Sequence, residues 1–294
     1  MSGRPRTLAP AVVLAPAVLL LLLSCAPDPA APAAPPSSGS SSGPPSSAGP
    51  PATTAAAPAT PPAPVWQVGA TPLPLRPDGF GQVLPTPQVL TNRSLPTVDR
   101  LPPPEGDRWA ATVRPVPAEV LARSTWRADC PVAAADLRYL TMSFWGFDGR
   151  THTGEMIVNR RVADDVTGVF ATLFRNRFPL EEMRVTARPE LDARPTGDGN
   201  NTTAFVCRPA VNLTRWSAHA YGLAIDVNPF CNPYIRGDLV LPELASSYVD
   251  RGNVRPGMIL PGDPTVRAFA AIGWTWGGTW TSPKDLQHFS STGN

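Results

Sequence analysis

Residues 124–294 predict an α+β fold, and three observations lead to that expectation. Short runs of aromatic and aliphatic residues have the length of strands, and two longer segments repeat apolar residues at helical spacing. The regular strand–helix alternation that builds a parallel sheet is not evident. A stretch of about 170 residues can bury one hydrophobic core, so we expect a single folded domain there.

Strands and helices can be assigned in order from these patterns. Strands are expected at 137–147, 154–159, 183–187 and 223–227. The first helix is expected between Asn159, which suits the N-cap position, and Pro179, which ends the apolar pattern. The second helix is expected at 263–271, where an Asp-Pro pair begins it and Gly273 stops it.

Residues 1–24 have the pattern of a signal peptide. Two arginines precede an apolar run of about 16 residues that two prolines interrupt, shorter than the roughly 20 residues that a membrane-spanning helix needs. The Leu-Leu-Ser-Cys sequence at 22–25 resembles a bacterial lipobox, in which Cys25 becomes the lipidated N-terminus. Plain signal-peptide cleavage nearby is the alternative. Either process predicts an exported protein, and the lipobox predicts a cell-membrane lipoprotein that faces the cell wall.

The next segments are dominated by small residues and proline. After Cys25 and apart from Asp28, residues 25–64 contain only Ala, Pro, Ser, Gly and Thr, which bury little apolar surface. We therefore expect a disordered linker there. Prolines continue through residues 65–123, but tryptophan and phenylalanine occur among them. We interpret this second segment as an extended arm that packs on the domain.

Two of the three histidines lie in segments that can supply a catalytic zinc site. The first segment is Ser-Ala-His-Ala-Tyr-Gly-Leu-Ala-Ile-Asp at 217–226, and the second is Asp-Leu-Gln-His at 285–288. Such a site needs three imidazole or carboxylate ligands and one open position, and His219, Asp226 and His288 provide that set. The alternative is a satisfied core histidine and an ion-paired aspartate. A carboxylate in mid-strand needs a partner, which favours the metal.

The spacing of these residues resembles that of the D-alanyl-D-alanine carboxypeptidase (VanY-type) zinc peptidases. Their motif Ser-x-His-x-x-Gly-x-Ala-x-Asp is followed downstream by Asp-x-x-His, and both parts occur here. The Gly-Trp-x-Trp-Gly-Gly-x-Trp pattern at 273–280 looks most like the branch that contains L-alanyl-D-glutamate endopeptidases. The resemblance implies one zinc ion bound by His219, Asp226 and His288, with Asp285 as the catalytic base. It also implies the hedgehog/DD-peptidase fold, a mainly antiparallel sheet with flanking helices.

Four further residues are candidates for contacts with a substrate. Arg208 lies in the segment before the histidine motif, where the family has an arginine that binds a substrate carboxylate or the developing oxyanion. A surface arginine paired elsewhere is the alternative. We expect Ser217 to orient a ligand or the substrate backbone. Asn228, in a turn-rich loop after the ligand strand, and Trp276 are expected at the cleft, with a core role as the alternative for Trp276.

Three cysteines remain after Cys25, and an exported protein is expected to form one disulfide from them. The resemblance favours Cys130–Cys207, and Cys207–Cys231 is the alternative. The state of Cys231 stays open. No Cys-x-x-Cys motif occurs, which argues against a zinc site made of Cys and His.

These features predict a monomeric zinc peptidase that hydrolyses amide bonds of peptidoglycan stem peptides with metal-activated water. Cleavage of D-Ala–D-Ala, of L-Ala–D-Glu and of a cross-bridge all remain open, and so does the choice between carboxypeptidase and endopeptidase. The alternatives are a non-catalytic cell-wall-binding module on the same fold and a three-histidine zinc site that includes His152. A net charge of +2 without basic runs argues against a nucleic-acid partner.

Overall fold

The computed structural model describes residues 66–211 and 213–293. The signal peptide predicted at 1–24, the lipidated Cys25 and the linker predicted at 25–64 lie outside the described residues. Across the part of the chain that is described, no helix combines the length and the apolar character needed to cross a membrane.

Short strands outnumber helices in the described chain. The strands are β1 (Ala111–Pro115), β2 (Leu137–Gly146), β3 (Thr151–Asn159), β4 (Pro179–Leu180), β5 (Glu182–Met183), β6 (Asn201–Thr202), β7 (Ala224–Asp226), β8 (Tyr234–Arg236), β9 (Leu239–Leu241), β10 (Thr275–Trp276), β11 (Lys284–Asp285) and β12 (His288–Ser290). The α-helices are α1 (Gln88–Thr91), α2 (Ala118–Arg123), α3 (Ala163–Arg175) and α4 (Pro264–Ala271). Single 3-10 turns occupy Ala134–Asp136, Arg188–Leu191, Ala218–Tyr221, Ser246–Tyr248 and Gly277–Thr279.

The sheets are small and mostly antiparallel, which confirms the α+β class. The main sheet has the order β1–β2–β3, all antiparallel, and β4 joins β2 in parallel. Two three-stranded antiparallel sheets have the orders β10–β12–β7 and β11–β8–β9. A short parallel pair, β5 with β6, completes the described strands.

The predicted strands are found with altered lengths. β2 covers nearly all of the strand expected at 137–147, and β3 begins three residues before the predicted 154. The strand expected at 223–227 is limited to β7. The strand expected at 183–187 is wrong for most of its length, because β5 ends at Met183 and shares only that residue with it. Helix α4 lies where it was predicted, and Gly273 follows it with a left-handed φ of 78°.

The prediction that Asn159 caps the first long helix is wrong. Asn159 is the last residue of β3 and pairs with Leu137 in the main sheet. Its side-chain amide donates a hydrogen bond to the backbone oxygen of Tyr221 at 3.0 Å. Helix α3 therefore begins only at Ala163, with Val162 in the cap position. The sheet register outweighs the local capping preference of asparagine.

Helix α3 covers the main sheet with one apolar face. Val166, Val169, Phe170 and Leu173 recur at helical spacing, and all are buried in the largest core cluster. The same cluster includes Ile225 and other residues of the β10–β12–β7 sheet. One continuous core therefore supports both the main sheet and the strands that carry the candidate site.

Residues 66–123 pack against the rest of the described chain. Trp66 donates its indole N–H to Asp198 at 2.9 Å. Arg93 is buried and forms a two-pronged ion pair with Glu181, with N–O distances of 2.6 and 2.7 Å. β1 pairs with β2 along its full length, so the main sheet extends into the segment that the sequence predicted to be an arm.

One disulfide joins Cys130 to Cys207, the pairing that the family resemblance favoured. Their Cα atoms are 5.9 Å apart, within the usual range for a disulfide. The alternative Cys207–Cys231 pairing is wrong, because Cys231 is a free and fully buried thiol. Burial raises the pKa of the Cys231 thiol to about 12.

Candidate active site

Two paired strands bring two polar side chains to one face of a small sheet. β7 and β12 are antiparallel, and Asp226 lies directly opposite His288. The neighbouring pair is Ile225 and Phe289, which are both fully buried in the core. Because side chains alternate along a strand, the core holds Ile225 and Phe289 on one face while Asp226 and His288 extend from the other.

A short capped turn positions His219 beside this pair. The turn begins at Ser217, whose hydroxyl oxygen accepts a hydrogen bond from the His219 backbone N–H at 3.3 Å. It ends at Gly222, which has a left-handed φ of 68°. A Cβ at that position would lie 2.6 Å from the backbone nitrogen of Asn159, so only glycine fits between the turn and β3.

The three predicted metal ligands converge and are called the ligand cluster below. His219 Nε2 lies 3.2 Å from His288 Nδ1, and both nitrogens approach Asp226 Oδ1, at 3.2 and 3.0 Å respectively. One ligand atom from each of the three side chains lies within 4.8 Å of the others, which is close enough for them to hold one metal ion together. Among the residues that the structure describes, this is the group of His, Cys, Asp and Glu side chains with that property. The prediction from spacing thus agrees with the geometry.

The donor set of the ligand cluster fits zinc. Ligand atoms about 2.1 Å from a tetrahedral zinc ion are about 3.4 Å apart, close to the three separations found here. His219 Nδ1 lies 2.7 Å from the carbonyl oxygen of Ala204. A carbonyl can only accept, so Nδ1 carries the proton and Nε2 of the neutral ring keeps its lone pair toward the cluster.

The electrostatics of Asp226 are those of an ionised ligand. Burial by itself would raise the pKa of its carboxyl group, because burial disfavours the charged form. The neighbouring His219 and His288 side chains outweigh burial and hold the pKa of Asp226 far below its usual range. Asp226 is therefore a carboxylate at neutral pH, as metal coordination requires.

Asp285 lies in the cleft beside the ligand cluster but is not part of it. Burial, with a further contribution from the negative charge of Asp226, raises the pKa of Asp285 to about 7. Its Oδ1 atom is buried and has no hydrogen-bond partner within the described chain. Gly277 packs against it so closely that a Cβ there would lie 2.6 Å from the Asp285 backbone oxygen. A buried carboxyl group with one oxygen free and a pKa near neutrality can accept and return a proton.

A cleft of about 1010 Å³ opens over these groups. The ligand cluster, Asp285, Arg208 and Ser217 all line it, so the structure brings most of the predicted site residues together. The positive charge of Arg208 opposes the rise in the pKa of Asp285. The Trp280 ring forms part of the wall, with its centroid 5.5 Å from that of His288.

Two predicted substrate contacts are placed elsewhere. Asn228 is fully buried, and its amide nitrogen lies 2.8 Å from the Pro179 backbone oxygen, which accepts a hydrogen bond from it. Trp276 is buried in the core, stacks on Phe289 and donates its indole N–H to the Leu286 backbone oxygen at 2.8 Å. Neither side chain lines the cleft, and both are buried in the interior of the protein.

The alternative zinc site that includes His152 is not formed. Nδ1 of this buried histidine lies 2.8 Å from Asp99, and Nε2 lies 3.1 Å from Asp148. Both ring nitrogens are therefore occupied by carboxylates that are not part of the ligand cluster. His152 joins residues 66–123 to the β2–β3 hairpin.

Sequence reasoning missed Tyr234 as a residue of the cleft. β8 pairs with β11 so that Tyr234 lies opposite Asp285, and both line the cleft. Burial raises the pKa of Tyr234, and the charge of Asp285 adds to the rise. The two residues are 51 positions apart in the chain, so only the strand pairing reveals that they are neighbours.

Comparison with known proteins supports this site. Residues 211–291 match the family model described as D-alanyl-D-alanine carboxypeptidase. No curated protein and no solved structure shows a significant match to the chain. The matched segment contains the whole ligand cluster and Asp285. Residues 211–291 are therefore similar to the D-alanyl-D-alanine carboxypeptidase family of peptidases.

Proposed function

We propose that this protein is a zinc-dependent peptidase that hydrolyses amide bonds in peptidoglycan stem peptides. The observation that carries the proposal is the convergence of His219, Asp226 and His288 in one cleft with Asp285, whose Oδ1 atom has no hydrogen-bond partner in the described chain. A zinc ion held by the ligand cluster would lower the pKa of a water molecule and polarise the carbonyl group to be cut.

Asp285 is the residue that handles protons in this proposal. Its carboxylate takes a proton from the attacking water and returns it to the leaving amine. Burial raises the pKa of this carboxyl group above its usual range, which makes it a better proton acceptor than an exposed aspartate. Its Oδ1 has no other hydrogen-bond partner in the described chain, so it is available for this work.

Three other side chains support the reaction in different ways. Arg208 lines the cleft near Asp285, and its guanidinium group binds a carboxylate of the substrate or the oxygen of the reacting carbonyl. Trp280 packs beside His288 and limits the access of bulk water to that side of the ligand cluster. Ser217 acts indirectly, because it caps the turn that carries His219.

The proposal places the enzyme outside the cytoplasm, as a monomer attached to the membrane through Cys25. The Cys130–Cys207 disulfide supports export, because disulfides persist mainly in oxidising compartments. The substrate would then be the peptide part of the cell wall. Palmitate labelling of the chain in a bacterial host tests the anchor, and label that persists in Cys25→Ser would refute it.

Digestion of purified muropeptides with mass-spectrometric identification of the products tests the proposed reaction. We expect cleavage by the full chain and its loss after the metal is removed with a chelator. The product masses will identify the bond that is cut. A protein that binds muropeptides but never cleaves them would instead be a non-catalytic cell-wall-binding module.

A further inference from the structure

The cleft contains more positive charge than the proposed reaction uses. Arg208, Arg215 and Arg236 all line it. None of the three forms an ion pair with a carboxylate in the described part of the chain, whereas Arg93 and Arg184 do so with Glu partners. Unpaired guanidinium groups along a cleft attract anionic ligands, because they lack an internal counter-charge.

Arg215 belongs to the same wall of the cleft as His219. The Ala210 N–H donates to the Arg215 backbone oxygen at 3.0 Å, and the Ser217 N–H donates to the Arg208 backbone oxygen at 3.2 Å. These two bonds fold the segment into a hairpin that leads directly into the capped turn carrying His219. The Arg215 side chain is exposed at the cleft.

Arg236 belongs to a different wall, which is built by the sheet that carries Asp285. It follows Tyr234 by two positions on β8, so the two side chains lie on the same face of the strand. Tyr234 lies opposite Asp285 in the strand pair, and all three residues line the cleft. The Arg236 side chain is exposed, and it lies close enough to Tyr234 to oppose the rise in pKa that burial causes there.

The acidic side chains of the cleft do not neutralise these arginines. Asp226 is surrounded by His219 and His288, and Asp285 is buried beside them. Glu243 also lines the cleft, but it is buried and accepts a hydrogen bond from the Gly81 N–H at 2.8 Å. The exposed charges of the cleft away from the ligand cluster are therefore positive.

We propose that Arg215 and Arg236 are specificity-determining residues that each bind a carboxylate of an acidic peptide. The carboxylates lie outside the amide bond that is cut, and they are held from two walls of the cleft. A guanidinium group suits this role because its planar fork can bind both oxygens of a carboxylate. The identity of the peptide rests on the proposed function, and the inference adds that it carries at least two free carboxylates.

Steady-state kinetics with two probes test the proposal. One probe is a muropeptide with free carboxylates, and the other is the same muropeptide with those carboxylates, apart from any at the scissile bond, converted to amides. For the free form, Arg215→Gln and Arg236→Gln should each raise KM about threefold to tenfold, with kcat nearly unchanged. For the amidated form, wild type and both variants should have the same KM.

Arg161→Gln is the matched control, because Arg161 is also exposed and unpaired among the described residues but does not line the cleft. It should leave both KM values unchanged. Arg215→Lys and Arg236→Lys should retain part of the preference for the free form, since the charge remains. All substituted side chains are exposed, so the variants should fold normally.

Binding of both probes to Asp285→Asn separates this inference from the proposed reaction. Tighter binding of the free form that depends on Arg215 and Arg236 supports the inference, even if wild type cleaves neither probe and the proposed reaction fails. Equal affinity for the two forms overturns the inference, even if wild type cleaves both. A loss of affinity in the variants that is the same for both forms also overturns it.

Discussion

Asp226 and His288 lie directly opposite each other in two antiparallel strands, with Asp226 Oδ1 3.0 Å from His288 Nδ1. Because this register is fixed by the buried Ile225–Phe289 pair next to it, the two side chains are held in place before any metal binds. Preformed geometry of this kind reduces the cost of ordering the ligands.

Removing an imidazole should abolish zinc binding. The purified wild type is expected to contain about one zinc ion per chain, and His219→Ala or His288→Ala should lose most of it, because two ligands rarely hold the ion. Elemental analysis of the dialysed proteins checks this. Asp285→Asn is the control and should keep its zinc, since Asp285 is outside the ligand cluster. Full zinc occupancy in both alanine variants would show that the ligands are assigned wrongly.

Arg208→Ala should impair the reaction without changing the metal. Loss of a charge-assisted hydrogen bond typically reduces kcat/KM by roughly 10- to 100-fold. A rise in KM would indicate that Arg208 binds a substrate carboxylate, and a fall in kcat alone would indicate contact with the reacting oxygen. Kinetics with zinc content measured in parallel distinguish the two. An unchanged kcat/KM would exclude Arg208 from the site.

The buried ion pair between Arg93 and Glu181 should anchor residues 66–123 to the domain. Arg93→Met leaves the Glu181 carboxylate buried without its main partner, which costs about 3–5 kcal/mol of unfolding free energy. Arg127→Gln removes an exposed pair with Asp129 and should cost at most about 1 kcal/mol. Urea unfolding followed by tryptophan fluorescence compares the two. Equal stability losses would contradict the anchoring role of Arg93.

The cysteines should respond differently to a thiol reagent. In Cys25→Ser protein at pH 8, Cys231 should not react in the folded state, because it is buried and its pKa is raised to about 12. After denaturation without reductant, about one thiol per chain should react, since Cys130 and Cys207 are joined. Ellman's reagent measures both states. Three reactive thiols after denaturation would show that the disulfide is absent.

The ligand cluster could be predicted from the sequence because its chemistry depends on local spacing. His219 and Asp226 are separated by a glycine turn and a short strand, and this order of residue types leaves few other interpretations. The surroundings of the cleft could not be predicted in the same way. Tyr234 and Arg236 reach the site only through the pairing of β8 with β11, a contact between distant segments.

The wrong predictions have a common physical cause. Asn228 follows the end of β7 and its side chain is buried on the Pro179 backbone oxygen, while Trp276 lies opposite Phe289 in its sheet and packs into the core. Asn159 has the right residue type for a helix cap, yet the register of the main sheet holds it in β3. In each case tertiary packing decided the position, and a local pattern does not contain that information.

The most direct test of the proposed function is the turnover of purified muropeptides by zinc-loaded wild type and Asp285→Asn, measured by mass spectrometry. The substitution keeps the volume of the side chain and the ligand cluster but removes the proton acceptor. We predict that wild type cleaves a stem-peptide amide bond and that Asp285→Asn is slower by about 10²–10⁴-fold at equal zinc content. Equal turnover by the two proteins, or no cleavage by the zinc-loaded wild type, would contradict the account.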